Sequence, residues 1–192
     1  AELETDGNTR WYGVANTALG HASYVAGDLS TAVGLLPRGA YSEAAPALIR
    51  VSAFSMLALT HAELGQHDRS RKAAEEAMEI VETRSMHALP QIALAFTAFG
   101  QSQAASGKLE EAMATLDHGL ALRRKVPGLS IWPTMHHLLV MGRVAVMSGD
   151  PALGRQLLDE AAAMIRRYPQ GMTAMIARLD TARKSLRESR NG

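Results

Sequence analysis

The sequence predicts an all-α fold, a right-handed superhelix of antiparallel helix hairpins. Alanine accounts for 33 of the 192 residues while only 5% are aromatic, a composition that favours helices over sheets. A glycine-bearing phrase also recurs four times, with its glycines 38, 42 and 42 residues apart. A nearly fixed period of this length is typical of helical-repeat arrays. The four glycines are Gly27, Gly65, Gly107 and Gly149.

Apolar periodicity, together with the positions of glycine and proline, predicts nine helices in chain order. They cover residues 10–26, 29–38, 46–64, 68–84, 90–106, 108–125, 133–148, 151–167 and 172–189. Successive pairs form four repeats of about 42 residues, at 10–40, 44–86, 89–127 and 132–169, and a C-terminal helix follows at 172–189. Because no long polar linker interrupts this series, we expect residues 1–192 to form a single domain.

Small residues recur at two positions of the phrase and predict tight hairpins. One set lies seven residues before each turn glycine, at Gly20, Ala58, Gly100 and Gly142. The other lies five residues after it, at Ala32, Ser70, Ala112 and Gly154. A glycine within a helix costs about 1 kcal/mol relative to alanine, so its repeated use indicates close helix–helix approach. The turn glycines are expected to supply the left-handed residue that ends each first helix.

Composition and charge exclude several classes of protein. The chain has no cysteine, which excludes a disulfide framework, a thiolate zinc site and a cysteine nucleophile. A net charge of +1 and a pI near 8.4 argue against direct nucleic-acid binding. No apolar run is long enough to cross a membrane, and no signal peptide is recognisable. We therefore expect a cytoplasmic location without membrane contact and, since the sequence does not begin with methionine, a segment of a longer protein.

Residues suited to catalysis or metal binding are present but not grouped. The seven histidines form no His-Glu-x-x-His pattern, and no serine lies in a Gly-x-Ser-x-Gly turn. Adjoining carboxylates such as Glu75 and Glu76 fall on second helices, which form the solvated outer surface of such stacks. Paired catalytic acids must instead converge across a cleft. We expect no catalytic residue, no metal site and no cofactor.

The arrangement of small residues resembles the tetratricopeptide repeat, although that repeat is about 34 residues long. The longer period resembles the superhelical sensor domain of large MalT-like, LuxR-type bacterial transcription regulators. The first repeat carries their recurring phrase at Trp11, Leu19-Gly20-His21-Ala22, Tyr24, Gly27-Asp28-Leu29 and Ala32. The segments Leu157–Ala162 and Ile176–Asp180 resemble the end of their helical array.

This resemblance implies a regulatory domain that binds an effector or partner protein and controls the assembly and DNA binding of its parent. The parent's ATP-binding and helix-turn-helix modules would be further partners, and both would lie outside this chain. No Gly-x-x-x-x-Gly-Lys-Ser/Thr phosphate loop occurs here, because Gly107-Lys108 is followed by Leu109.

By analogy with tetratricopeptide stacks, certain positions on the first helices face a concave groove. The residues assigned to it are Thr17, His21, Tyr24, Ser55, Glu63, Thr97, Gln101, Leu139, Arg143 and Met147. This mixed lining suits a small ligand or an apolar peptide segment. It lacks the lysine and asparagine residues of the clamps that hold a C-terminal carboxylate in chaperone-binding tetratricopeptide domains.

Two functions remain open from the sequence. One is the sensor domain of a LuxR-type regulator, and the other is a free-standing tetratricopeptide-like scaffold for protein–protein interaction. A third class of function is an enzyme built on a helical-repeat fold, but we expect this chain to have no catalytic activity. An exposed apolar first repeat would also allow a homodimer.

Overall fold

The computed structural model describes residues 6–126 and 131–188, and its elements are helical, as predicted. The α-helices are α1 (Asp6–Ala26), α2 (Leu29–Ala40), α3 (Ala47–Glu63), α4 (His67–Thr83), α5 (Ala93–Ala105), α6 (Leu109–Arg124), α7 (Ile131–Met147), α8 (Pro151–Arg167) and α9 (Thr173–Glu188). Within the described ranges there is no strand, and no helix is both long and apolar enough to cross a bilayer. The all-α fold class is confirmed.

Several helix boundaries differ from the prediction. The first helix begins four residues earlier than expected, and α5 begins at Ala93 because Pro90–Ile92 form a separate 3-10 turn. Helix α2 contains Pro37 and continues to Ala40, two residues beyond its predicted end at 38. Its last turn is held against α1, since a Cβ on Gly39 would collide with the side chain of Thr17. The predicted repeat end at 127 and helix end at 189 lie outside the described residues.

The four turn glycines end the first helices in the same way. Each has a positive φ, between 70° and 88°, a conformation that glycine adopts without steric cost. The following residue donates its backbone N–H to the carbonyl five residues back, as Asp28 does to Ser23 at 2.9 Å and Asp150 does to Ala145 at 2.9 Å. This is the Schellman pattern, which satisfies carbonyls at the end of a helix. The chain therefore enters the next helix after a turn of two or three residues.

The small residues permit close contact within each hairpin, as predicted. A Cβ added to Gly20 would lie 2.7 Å from the side chain of Leu36, and one added to Gly100 would lie 2.7 Å from Leu116. Gly142 faces Leu158 in the same manner at 3.0 Å. In the second hairpin an alanine pair replaces the glycine–leucine pair: Ala58 and Ala74 occupy the equivalent positions and both are fully buried. In each repeat, the two facing side chains together fill the limited space between the helices: a glycine faces a leucine, or an alanine faces an alanine.

The hairpins stack so that the first helices α1, α3, α5 and α7 lie side by side, and α9 continues this row. Each contacts the first helix before it, and α9 also contacts α1. The core consists of one cluster centred on α1–α5 and another centred on α6–α9, with the Trp132 side chain packed against both. Because α9, the last helix of this row, contacts α1, the first, the concave side is closed at one end.

Replacing Gly154 by alanine is expected to destabilise the fold by about 1–3 kcal/mol, since overpacking costs energy of this size. The new Cβ would lie 2.5 Å from Val146 Cγ2 and 2.9 Å from the carbonyl oxygen of Gly142. Gly34 is the matched control: it also lies in a helix, but no atom lies within 4 Å of its added Cβ. Gly34→Ala should stabilise by roughly 0.5–1 kcal/mol. Chemical denaturation measures both, and equal effects at the two positions would contradict the packing described.

Candidate ligand-binding cavity

A cavity of about 830 Å³ lies between α9 and the C-terminal halves of α3, α5 and α7. Its volume falls in the range of roughly 300–1,000 Å³ that is common for small-molecule sites. Eleven of the 23 residues around it are glycine or apolar, and twelve are polar or charged. The lining residues are Gly27, Leu29, Ala62, Glu63, His67, Asp68, Ser70, Arg71, Gln101, Ser102, Ala104, Ala105, Ser106, His136, Leu139, Val140, Arg143, Val144, Met147, Ala174, Ala177, Arg178 and Thr181.

Half of the groove residues expected from the sequence line this cavity. They are Glu63 on α3, Gln101 on α5 and Leu139, Arg143 and Met147 on α7. Arg143 and Met147 are exposed, whereas Leu139 is buried in the wall. These five residues lie toward the turn-glycine end of the first helices, where the concave side remains open.

The other five groove residues lie in packed interior, so the expectation of an open groove along the whole row is wrong. Thr17, Ser55 and Thr97 are buried. The hydroxyls of Thr17 and Ser55 donate to the carbonyl four residues earlier in their own helices, and the Thr97 hydroxyl lies 2.7 Å from Nδ1 of His137. The Tyr24 side chain is fully buried, and His21 is packed edge-on against the Trp132 ring at 6.0 Å. The physical reason at this end is that the rings of Trp132 and His136 on α7 pack against His21 and Tyr24 on α1 and fill the concave side.

A polar network crosses the concave side beside the cavity and joins four helices. The Tyr24 hydroxyl on α1 donates to Glu63 on α3, and its oxygen lies 2.7 Å from Nε2 of His136 on α7. Arg178 on α9 donates from Nε to Glu63 Oε1 at 2.7 Å and from Nη2 to the Tyr24 carbonyl at 3.0 Å. The guanidinium also lies 4.3 Å from the centre of the Tyr24 ring, which adds a cation–π attraction. These contacts fasten the last helix to the first.

The network fixes the charges of its members. Burial alone would raise the pKa of Glu63, but hydrogen bonds and charge from His136, Arg178 and Tyr24 outweigh it and lower the pKa to about 2. Burial lowers the pKa of His136 despite the nearby carboxylate, so the ring is neutral at pH 7. Burial and then Glu63 raise the pKa of Tyr24. Since the Tyr24 proton bonds Glu63, His136 Nε2 carries the hydrogen directed at the tyrosine oxygen.

Three polar atoms of the cavity-lining residues are buried without a hydrogen-bond partner among the described residues. They are Nδ1 of His136, Nη1 of Arg178 and Oε1 of Gln101. Buried polar atoms are normally hydrogen-bonded, because leaving one unpaired costs about 1–3 kcal/mol. The wall therefore combines two acceptors and one donor with apolar surface, a composition suited to orienting a bound molecule.

A search of the described residues finds no group of three histidine or carboxylate side chains close enough to hold a metal ion. The buried His137 has a structural environment instead: its Nε2 donates to the Leu116 carbonyl at 2.9 Å, and its Nδ1 accepts from Thr97 at 2.7 Å. Burial lowers the pKa of His137 to about 3. This histidine therefore joins α5, α6 and α7 as a neutral side chain.

Residues 50–125, which span most of α3 through α6, match the family model described as the tetratricopeptide repeat. Solved structures with the same architecture include nearly identical tetratricopeptide-like repeats of a protein described as a kinesin light chain from Podosopora anserina. That structure has a TM-score of 0.55 and 16% identity, with 92% of this chain and 89% of that chain covered. The fold is tetratricopeptide-like. A glutamine-to-methionine variant of the same repeats gives a TM-score of 0.54 at the same identity and coverage. No curated protein sequence matches this chain.

Two residues of this tetratricopeptide-like concave side, His136 and Arg178, were not predicted from the sequence. A signal for Arg178 was present, because α9 follows the 42-residue period as a fifth first helix. Subtracting 42 places Arg178 at the register of His136, and Thr181 at that of the groove residue Leu139. Residues 172–189 were predicted only as a C-terminal helix after the four repeats, which concealed this equivalence.

The free energy of unfolding should depend on the charge of Glu63. Its pKa is lower in the folded protein, about 2, than its ordinary value of 4.5. The carboxylate therefore contributes stability that is fully present above pH 4.5 and is lost as the pH falls toward 2. Glu63→Gln should cost on the order of 2 kcal/mol at pH 7 and nearly nothing at pH 2.

Urea unfolding of both proteins across this pH range measures the difference. Glu75→Gln is the control, since the Glu75 side chain is half exposed on α4 and pairs with Arg71 at 3.3 Å. Its effect should stay below about 1 kcal/mol at every pH. A Glu63 effect that does not change with pH would show that the network does not hold a charged carboxylate.

Proposed function

We propose that this tetratricopeptide-like domain is a binding module that takes a small effector molecule into the cavity between α9 and the first helices. The cavity is the observation that supports this proposal: it is large enough for a ligand and is lined by residues of six helices of the array. Its lining is chemically mixed rather than uniformly apolar. Cavities used for ligands combine apolar walls with a small number of placed polar groups.

The polar and apolar parts of the lining are separated in a way that would orient a ligand. Leu139, Val140 and Val144 form an apolar strip along α7, whereas Gln101 and Arg178 supply hydrogen-bonding groups from the flanking helices. Arg143 is exposed at the cavity and has no ion-pair partner among the described salt bridges. Its guanidinium can bind an acceptor-bearing ligand without first breaking an internal ion pair.

The finer proposal is a sensor domain of a LuxR-type transcription regulator in the cytoplasm. Its support is the resemblance of the first repeat to the MalT-like phrase and the 42-residue spacing of the last three turn glycines. In such a protein, effector binding would change the assembly of a parent that also carries ATP-binding and helix-turn-helix modules. The whole gene provides the test: a reading frame that encodes neither module would reject the LuxR assignment and leave the binding module intact.

The second candidate is a protein–protein interaction scaffold, and the tetratricopeptide match supports it. Repeats of this type commonly present a concave surface to extended or helical peptides. The exposed Arg143 and Met147 would then contact the partner at the open side of the cavity. Catalysis has no support from the network, since Glu63 is occupied by Arg178 and Tyr24. We accordingly propose a non-enzymatic role.

Ligand binding is expected to raise the melting temperature, because a ligand that binds only the folded state stabilises it. A thermal-shift screen of sugars, nucleotides, amino acids and short apolar peptides would identify a compound for titration calorimetry. Arg143→Gln should then weaken binding by about tenfold or more, through loss of one charged hydrogen bond. Ala105→Trp should abolish binding by filling the cavity, since Ala105 is an exposed lining residue.

Matched controls lie on helix surfaces away from the cavity. Ala114→Trp on α6 and Arg155→Gln on α8 change exposed residues of the same types and should leave affinity unchanged. A compound that binds both Ala105→Trp and the wild type equally would place its site elsewhere. A protein that responds to no small molecule, but loses a peptide partner on Arg143→Gln, would favour the scaffold.

A further inference from the structure

In α3, α5, α7 and α9, one face packs against the preceding repeat. The corresponding face of α1 is exposed. In the register of the repeats, Ala15, Ala18 and Ala22 correspond to three positions in each of α3, α5, α7 and α9. Those positions hold Ala53, Met56 and Thr60; Ala95, Ala98 and Ser102; His137, Val140 and Val144; and Leu179, Ala182 and Leu186. All twelve are at most 7% exposed, whereas the three alanines of α1 are exposed.

The twelve buried residues lie in the interface between each hairpin and the one before it. Helix α3 contacts both α1 and α2, α7 contacts α5 and α6, and α9 contacts α7 and α8. His137 illustrates the contact, since it bonds Thr97 on α5 and Leu116 on α6. The repeat–repeat interface thus continues in register onto α1, where it has no counterpart within the described residues.

Large apolar side chains flank the three alanines. Trp11 is 68% exposed and Leu19 is 57% exposed on the same face of α1, at helical spacings of four, seven and eight residues. No Asp, Glu, Lys or Arg occurs between residues 11 and 26. We call the surface formed by Trp11, Ala15, Ala18, Leu19 and Ala22 the α1 stacking face. An exposed apolar face of this kind is typical of an association surface.

We propose that the α1 stacking face pairs with the same face of a second copy of this chain, in an antiparallel two-fold contact. With the axis between Asn16 and Thr17, Trp11 of one copy lies opposite Ala22 of the other, and Ala15 lies opposite Ala18. Large side chains therefore meet small ones, and the three alanines allow the helix axes to approach closely. A two-fold contact is self-complementary and closes at two copies.

Charge and the other end of the array favour this pairing over a head-to-tail chain. The far end of the array is formed by α9, on which Asp180 and Arg187 are exposed, and burying charged side chains against apolar surface is costly. Two α1 helices meet without like charges between residues 11 and 26. The net charge of +1 also gives little repulsion between copies.

Sedimentation equilibrium across a range of concentrations tests the pairing. The wild type is expected to be a dimer in exchange with monomer, with no larger species. Ala18→Glu places two carboxylates near the axis and should raise the dissociation constant at least about tenfold, since like charges facing each other at an interface are strongly unfavourable. Ala114→Glu, on the exposed surface of α6, is the matched control and should leave the dimer unchanged.

A cysteine introduced at Ala15 provides a second readout, because the chain has no other cysteine. Ala15→Cys should give a covalent dimer with a short thiol cross-linker, and Ala163→Cys on the exposed side of α8 should not. A wild type that is monomeric at every concentration would overturn the proposal. A dimer that persists in Ala18→Glu, or an open-ended series of larger species, would overturn the two-fold contact at α1. Arg143→Gln should not alter the dimer, so this test is independent of ligand binding.

Discussion

The close contact between the two helices of each hairpin determines most of this structure. Three hairpins set a glycine against a leucine, as with Gly100 and Leu116, and the second sets Ala58 against Ala74. Different residue pairs thus satisfy one volume requirement, which explains why glycine is tolerated within a helix where it otherwise costs stability. With the hairpin spacing set in this way, every hairpin presents the same face to the next, and stacking with one register follows.

The repeated stacking turns the row of first helices until α9 reaches α1. Arg178 secures this contact through the Glu63 carboxylate and the Tyr24 ring. An exposed ion pair between distant helices contributes little, but this arginine is only 14% exposed and Glu63 is 25% exposed. The Nη2 of Arg178 also donates to the Tyr24 carbonyl on α1. The closure converts the expected open groove into a packed aromatic end and a cavity beside it, which is the principal difference between the expected and the observed concave side.

The sequence was sufficient for the fold because its signals are local and repeated. Turn glycines, small helix positions and the 42-residue period each report on contacts within one hairpin or between neighbours. The candidate site was predicted less completely, because Tyr24 and His136 are 112 residues apart and meet only through the curvature of the whole array. Curvature accumulates from small rotations between repeats, and no single motif encodes it. Glu63 and Arg143 were found because they lie where the concave side stays open, whereas Ser55 and Thr97 were assigned by an analogy that assumed a wider superhelix.

The position of the cavity gives α9 a defined part in any binding event. A molecule in the cavity contacts Leu139 or Val144 on α7 and also Ala177 or Arg178 on α9. Its binding free energy is therefore shared between the repeats and the last helix. A ligand that contacts both the repeats and α9 favours the state in which α9 is docked. The size of this effect equals the difference between the ligand's binding free energies for the docked and undocked states. Without ligand, α9 is docked by its buried residues Met175, Leu179 and Ala182 and by the ion pair between Arg178 and Glu63, and a bound ligand would add to this stability. In the proposed sensor, this is how occupancy of the cavity would be transmitted to a module beyond α9.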